Sequence, residues 1–102
     1  MEVRLRYFEG CPHWQILHDR FREALRAEGM ASVEPILERV ETPEDAERLR
    51  FIGSPTILVD GRDPFAERTE DSFGLTCRVY QTPDGLAGSP TLEQLRTALQ
   101  AA

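Results

Sequence analysis

One stretch near the start, residues 3–14, constrains the fold more than any other part of the chain. Apolar and charged residues alternate over residues 3–7, which is the period-2 pattern of a strand with one face on a core. The apolar residues that follow fall at helical spacing: Trp14, Leu17, Phe21 and Leu25. Pro12 suits the first helical turn, where its missing N–H would have had no partner. The sequence therefore predicts a β-strand that leads into an α-helix, with Cys11 at the junction.

The predicted place of Cys11 favours a reactive sulfur. The first backbone N–H groups of a helix lack intrahelical partners and together carry about half of a positive charge. A thiolate at that end is stabilised relative to the thiol, and the thiolate is the nucleophilic form of cysteine. His13, in the predicted first turn, either favours this thiolate with its own charge or points to solvent. Both alternatives for His13 stay open.

Composition narrows the classes of partner. The chain has 102 residues, enough for one modest core, and we predict a single domain over residues 1–102. With 18 acidic and 12 basic residues, its net charge of −6 argues against a nucleic-acid partner. No apolar stretch approaches the length of a membrane span, and the N-terminus has no signal-peptide pattern. We therefore expect a cytoplasmic protein with no membrane partner, in which Cys11 and Cys77 are thiols at rest.

Two further elements are predicted between residues 32 and 50. Residues 32–40 have the composition of a strand but include Pro35, which cannot donate to a ladder and therefore places this strand at a sheet edge. Thr42 has the features of a helix N-cap, because Pro43 and two acidic residues follow it. The short helix that Thr42 begins is predicted to end near Arg50.

The second half of the chain predicts two strands and a closing helix. Residues 56–59 are an unbroken apolar run, typical of a central strand buried on both faces. The loop from Arg62 to Leu75 shows no clear periodicity. Residues 76–81 are predicted as the next strand and residues 82–85 as a turn. Thr91 is the predicted N-cap of the last helix, with Gln94 as its capping-box partner.

This order of elements resembles the thioredoxin-like family. The Gly-Cys-Pro-His-Trp segment of residues 10–14 is similar to the Cys-Pro-His-Cys motif of bacterial disulfide oxidases, and Pro55 matches the cis-proline that opens the third strand of the family. The resemblance implies an α/β fold, β-α-β-α-β-β-α, with a four-stranded mixed sheet of order 2-1-3-4 and helices on both faces. It also implies that Cys11 is the redox-active cysteine and that the Ser54 backbone is free to pair with an extended substrate.

Trp14 stands where the disulfide oxidases have their second cysteine, so the chain resembles a monothiol variant. In a Cys-X-X-Cys protein the second thiol resolves the mixed disulfide that the first one forms. Trp14 cannot do this, and a disulfide on Cys11 must be released by a small thiol, a partner protein or Cys77. The indole ring either packs the helix onto the sheet or forms a wall for an apolar substrate.

Distances along a simple hairpin argue against Cys77 as the resolving thiol. If the third strand begins beside Cys11, its rise of about 3.3 Å per residue carries the chain roughly 16 Å away from Cys11 before the chain turns. Cys77 would then begin the return strand at that far end, whereas a disulfide needs Cα atoms within about 7 Å. We therefore predict that Cys77 is a small apolar residue within a strand, unless the long loop from Arg62 to Leu75 folds back over the sheet.

The function favoured by these residues is thiol–disulfide exchange. Cys11, assisted by His13, would attack a disulfide or electrophile and be released by an external thiol. No cofactor or metal is expected, and the partner would be a low-molecular-weight thiol or a disulfide-bearing protein. The oligomeric state is not predicted.

Two other functions stay open. In the first, the same scaffold is a binding module whose cleft beside Cys11 holds a peptide or small molecule without turnover. In the second, Cys11 and Cys77 together capture a soft metal ion or an organomercurial, which requires that the two thiols lie close together. The residues expected to contact a substrate are Pro12, Trp14, Ser54 and Pro55.

Overall fold

The computed structural model describes residues 1–66 and 73–102 of the chain. Within these residues the order of elements is mixed α/β. The elements are β1 (Val3–Tyr7), α1 (Trp14–Ala27), β2 (Ile36–Arg39), α2 (Pro43–Leu49), β3 (Thr56–Val59), β4 (Tyr80–Thr82), β5 (Gly85–Ala87) and α3 (Leu92–Gln100). Part of the predicted loop from Arg62 to Leu75 lies outside the described residues.

The first three strands form a mixed sheet of order β2-β1-β3. β1 runs parallel to β2 and antiparallel to β3, so that Leu5 lies opposite Leu37 on one side and Ile57 on the other. β2 is at the edge of this sheet, and Pro35 immediately precedes it. The predicted edge position of the second strand is therefore confirmed.

The four-stranded sheet expected from the sequence is not seen among the described residues. The predicted strand over residues 76–81 is replaced by β4, which pairs with β5 in a separate hairpin. The predicted turn joins these two strands, and the Thr82 hydroxyl stabilises it by accepting the Asp84 N–H and donating to the Gly85 carbonyl. Two strands joined by a two-residue turn pair at a low entropic cost, so this hairpin competes well with the pairing of residues 76–81 to a strand that is distant in the sequence. β3, predicted to be central, consequently lies at the other end of the sheet.

The main core lies between the sheet and the helices α1 and α3. It is built from the inward residues of β1 and β3 and the apolar faces of the two helices: Val3, Leu5, Leu17, Phe21, Ala24, Leu25, Ile57, Val59, Leu95 and Leu99. The alternation in β1 explains which residues turn inward, because successive side chains of a strand point to opposite faces. Arg6, on the other face, donates to the Leu49 carbonyl at the end of α2.

A second, smaller cluster lies on the α2 side. Val40, Ala46 and Phe51 are its buried members, and Phe8 and Leu75 pack against them. This cluster matters for the site described below, because it joins the residues just before Cys11 to those just before Cys77.

Both predicted helix caps are confirmed. The Thr42 side chain accepts the Asp45 N–H at the start of α2, and Thr91 with Gln94 forms a complete capping box on α3. The start of α1 differs from the prediction: its N-cap is His13, so Pro12 lies before the helix. Among residues 1–66 and 73–102, no helix has the length and apolar character needed to cross a membrane.

Candidate functional site

Cys11 lies in the turn between β1 and α1, with its sulfur directed inward. Its N–H donates to the Phe8 carbonyl at 3.1 Å, and only 2% of the residue is exposed. Because α1 begins at Trp14, Cys11 precedes the helix instead of standing in its first turn. Its thiol donates to the Ser54 carbonyl oxygen at 3.5 Å.

Ser54 is the residue around which the site is assembled. Its N–H donates to the Thr76 carbonyl, and its own carbonyl accepts the Arg78 N–H, both at 2.8 Å. Its side-chain oxygen accepts the Phe8 N–H at 3.3 Å. The chain thus supplies, from residues 76–78, the backbone partners that an extended substrate was expected to provide. The expectation that the Ser54 backbone is free is wrong.

Pro55 follows Ser54 through a cis peptide bond, the isomer that the resemblance implies. Its ring is fully buried, and its carbonyl accepts the Tyr80 hydroxyl. A contact of Ser54 or Pro55 with a substrate stays a prediction, and it requires that residues 76–78 move aside.

Cys77 sits in a short parallel bridge with Ser54, the residue whose carbonyl accepts the Cys11 thiol. The residue is exposed, and both cysteines are free thiols. Desolvation raises the pKa of the Cys77 thiol, and the charge of Cys11 and a hydrogen bond to Cys11 raise it further. Both cysteines are therefore held at Ser54: Cys77 lies opposite it in the bridge, and the Cys11 thiol donates to its carbonyl.

This position corrects the sequence-based prediction for Cys77, which placed it at the far end of a hairpin and in the interior. The loop folds back: the Gly74 N–H donates to the Phe51 carbonyl at 3.1 Å, and Leu75 packs against the α2-side cluster. The chain has therefore returned to the start of β3 before it reaches Cys77. The hairpin distance did not apply, because the fold does not use a hairpin there.

Arg78, the residue after Cys77, has a buried guanidinium with several partners. Its side chain is 6% exposed and pairs with Asp63, which is 11% exposed, at 2.5 Å. It also donates to the Thr56 hydroxyl at 3.2 Å and lies over the Tyr80 ring at 4.5 Å. The sequence patterns did not single out Asp63 and Arg78 as residues of the site. The available signal was an arginine inside an otherwise strand-like run, residues 76–81.

Gly53 allows this segment to approach. Its φ of +148° is unfavourable for residues with a side chain, and a Cβ built on it would lie 2.9 Å from the Arg78 Cβ. The close approach of the Gly53 and Arg78 backbones is what lets residues 76–78 reach Ser54.

His13 packs against a glycine of the last loop. A Cβ on Gly88 would lie 2.5 Å from two imidazole carbons, so the ring rests directly on the Gly88 backbone. His13 is half-buried, which does not fit the alternative that it simply points to solvent. Its assistance to Cys11 stays a prediction.

Trp14 stacks on Tyr7, with ring centroids 4.1 Å apart and planes 20° from parallel. It also packs against the main core. These contacts favour the packing alternative over a substrate wall. Pro12, in contrast, is exposed beside Cys11.

A groove of about 360 Å³ opens beside the turn that precedes Cys11, and neither cysteine lines it. Its walls come from the turn before Cys11, from the end of β2 and from the segment before Cys77: Phe8, Glu9, Gly10, Arg39, Val40, Glu41 and Leu75. A volume of this size accommodates a small molecule. Over residues 1–66 and 73–102, His, Cys, Asp and Glu side chains form no group of three or more that could hold a metal ion.

Comparisons with known proteins found no matching family model, no matching curated protein and no matching solved structure. The function of the protein is therefore inferred from the geometry of this chain itself.

Proposed function

We propose that the protein carries out thiol–disulfide exchange with Cys11 and Cys77 as its working pair. The observation that carries this proposal is that two free thiols are both held at Ser54, Cys77 by the bridge and Cys11 by its bond to the Ser54 carbonyl. Two cysteines held in contact can interconvert between a dithiol and a disulfide, whereas a lone cysteine needs an external thiol to complete each cycle.

The two thiols have different roles because their exposure differs. Cys77 is exposed and can meet an external partner, while Cys11 is 2% exposed and can most easily reach Cys77. The raised pKa of Cys77 keeps it protonated at neutral pH, so the first step is slow there and becomes faster as the pH rises.

The oxidising half-cycle takes two displacements. The Cys77 thiolate attacks a low-molecular-weight disulfide, so that a mixed disulfide forms on Cys77 and one small thiolate leaves. The Cys11 thiolate then attacks the Cys77 sulfur, the Cys11–Cys77 bond forms, and the second small thiolate leaves. The two protons of the cysteines end on the two released thiols, and two electrons pass from the protein to the small disulfide.

Mass spectrometry after exposure to glutathione disulfide at about pH 8 tests this proposal, since thiolate is abundant there. Wild type should lose the mass of two hydrogens and retain no adduct. Cys11→Ser should accumulate glutathione on Cys77, and Cys77→Ser should react slowly because its remaining thiol is buried. A stable wild-type adduct on Cys11, with Cys77 still free, would instead support the monothiol function resolved by an external thiol.

We further propose that the chain is a variant of the thioredoxin-like fold. The support is the sheet order β2-β1-β3 with mixed strand directions, together with a helix that begins soon after Cys11, in the turn that follows β1. A solved structure that joins β1, β2 and β3 in another order would contradict this assignment.

The same contact favours a second candidate function, the capture of a soft metal ion or organomercurial. Thiolates are the ligands that such ions prefer, and both thiols are held at Ser54. Titration with phenylmercury should then give one tight site that is weakened in both Cys11→Ser and Cys77→Ser. Equal binding by the Cys77→Ser variant would exclude a two-thiol site.

A further inference from the structure

We infer that Arg78, held by Asp63, is a positioning residue that keeps Cys77 against Cys11. This inference rests on the proposed function and identifies the residues that set its redox equilibrium. Arg78 does not touch either sulfur in any contact described above, and it acts through the backbone of residues 76–78.

The side chains of Cys77 and Arg78 point in opposite directions. Along an extended segment, neighbouring side chains point to opposite sides. The Arg78 guanidinium points to Asp63 and the Thr56 hydroxyl, and the Cys77 thiol accordingly lies on the other side of the segment, where burial and the charge of Cys11 raise its pKa. The thiol and the guanidinium are therefore attached to the same short segment but occupy separate environments.

Arg78 is held firmly by its buried contacts with Asp63 and its other partners. The guanidinium is 6% exposed, and Asp63 reaches both of its terminal nitrogens, at 2.5 and 3.4 Å. Asp63 is itself fixed, since its carboxylate accepts the Phe65 N–H at 2.8 Å. A buried arginine in contact with a carboxylate, a hydroxyl and an aromatic ring has little freedom to move, and an unpaired charge there would be strongly unfavourable.

The contacts of Arg78 affect the thiols through the backbone bonds at Ser54. Thr76 and Arg78, on either side of Cys77, are both hydrogen-bonded to Ser54, and those are the backbone bonds described for this segment at Ser54. A single short bridge of this kind is easily opened, so the side-chain attachment of Arg78 decides how long Cys77 stays in place. The equilibrium constant for forming the Cys11–Cys77 disulfide should therefore depend on the Asp63–Arg78 pair.

The test is the equilibrium of the pair in mixtures of reduced and oxidised glutathione. We expect Arg78→Gln and Asp63→Asn to lower the equilibrium constant for the intramolecular disulfide at least tenfold, which for a two-electron couple is about 30 mV. Arg96→Gln is the matched control. It removes a 2.9 Å ion pair with Glu28 outside this site, and it should change the constant by less than about twofold.

A second measurement separates positioning from a general loss of stability. In the reduced protein, the pH dependence of Cys77 alkylation reports whether Cys77 still faces Cys11. We expect the profile to move to lower pH in Asp63→Asn and Arg78→Gln, and to be restored in part by Arg78→Lys. Circular dichroism identifies variants that stay folded, and Asp63→Asn preserves the size of the side chain.

The outcomes are distinguishable. If folded Asp63→Asn and Arg78→Gln keep both the wild-type redox equilibrium and the wild-type pH profile, the positioning role is wrong. If wild type forms no Cys11–Cys77 disulfide, the proposed function fails, but a shifted Cys77 profile in the variants still supports the positioning role.

Discussion

At the scale of single residues, the site is defined by which sulfur holds its proton and which residues allow the sulfurs to meet. Desolvation and the proximity of Cys11 raise the pKa of Cys77, although Cys77 is the exposed member of the pair. Exposure alone is therefore a poor guide to its reactivity, because a thiol must first lose its proton.

The Cys77 thiol should consequently react late in a pH series. Removing the Cys11 charge by Cys11→Ser takes away part of the cause, so the pKa of Cys77 should fall towards that of an ordinary thiol. Rates of iodoacetamide modification, measured against pH and located by peptide mapping, check this. An unchanged Cys77 profile in Cys11→Ser would mean that the two sulfurs do not interact in solution.

Gly53→Ala should both destabilise the protein and weaken the thiol pair. The substitution adds strain at a positive φ and a Cβ 2.9 Å from the Arg78 Cβ, for an expected loss of about 1–3 kcal/mol. Gly29→Ala is the matched control, because Gly29 has φ +75° and open space around it. Urea unfolding and the glutathione equilibrium should separate the two variants, with only Gly53→Ala altering the equilibrium. Parallel effects of both variants on the thiols would contradict the close-approach argument.

At the scale of elements, the sequence predicted what is local and missed what is distant. The caps at Thr42 and Thr91 depend on residues three positions away, and both were predicted correctly. The place of Cys77 depends on how residues 62–75 return to Ser54, and no short pattern encodes that path. The strand-like composition of residues 76–81 is equally compatible with a fourth sheet strand and with the bridge and hairpin that form.

Thr91→Ala should test the capping box as an element-level feature. Losing the hydroxyl removes the bond to the Gln94 N–H and should lower the free energy of unfolding by about 1 kcal/mol. Thr97→Ala is the control, since the exposed Thr97 hydroxyl only donates back to the Glu93 carbonyl of the same helix. Denaturant unfolding of both variants gives the comparison, and an equal effect would show that the cap is not needed.

The bridge at Ser54 also predicts that the protein does not prefer polypeptide reductants to small thiols. Because Ser54 is already bonded to residues 76–78, a polypeptide thiol cannot gain affinity by pairing its backbone there. The oxidised protein should react with glutathione and with an unstructured cysteinyl peptide at rates within about threefold, after correction for thiolate content. A much faster reaction with the peptide would indicate that residues 76–78 give way to a substrate strand.

At the scale of the whole molecule, the packing of α1 against α3 supports the face of the sheet opposite α2. An ion pair between Glu28, the C-cap of α1, and Arg96 of α3 joins the two helices at 2.9 Å. The fold class was predicted as α/β, and the sheet order of the first three strands followed the prediction. The resemblance implied that order, and Pro35 independently predicted the edge place of β2, whereas the hairpin of β4 and β5 depends on a competition between alternative pairings.

Stability should depend on pH through Glu28. Hydrogen bonds from Arg96 and then from Gln100 hold the pKa of Glu28 below its ordinary value of 4.5. The stabilisation is thus fully present above that value and is lost as the pH falls through the lower folded-state pKa. Glu28→Gln should show a smaller decline of the urea midpoint on acidification than wild type, and identical declines would exclude this contribution.

The bonds of residues 76–78 to Ser54 place Cys77 and Cys11 of one chain at the same site. This affects how the protein would respond to the thiols in its surroundings. One protein disulfide would form for every two molecules of monothiol released, so the ratio of oxidised to reduced protein would follow the concentration of the oxidised monothiol divided by the square of the reduced monothiol concentration. At a fixed ratio of oxidised to reduced monothiol, simple dilution of the pool would then oxidise the protein. A chain that carries both sulfurs on its own backbone would in this way register how much thiol a compartment contains, as well as how oxidised that thiol is.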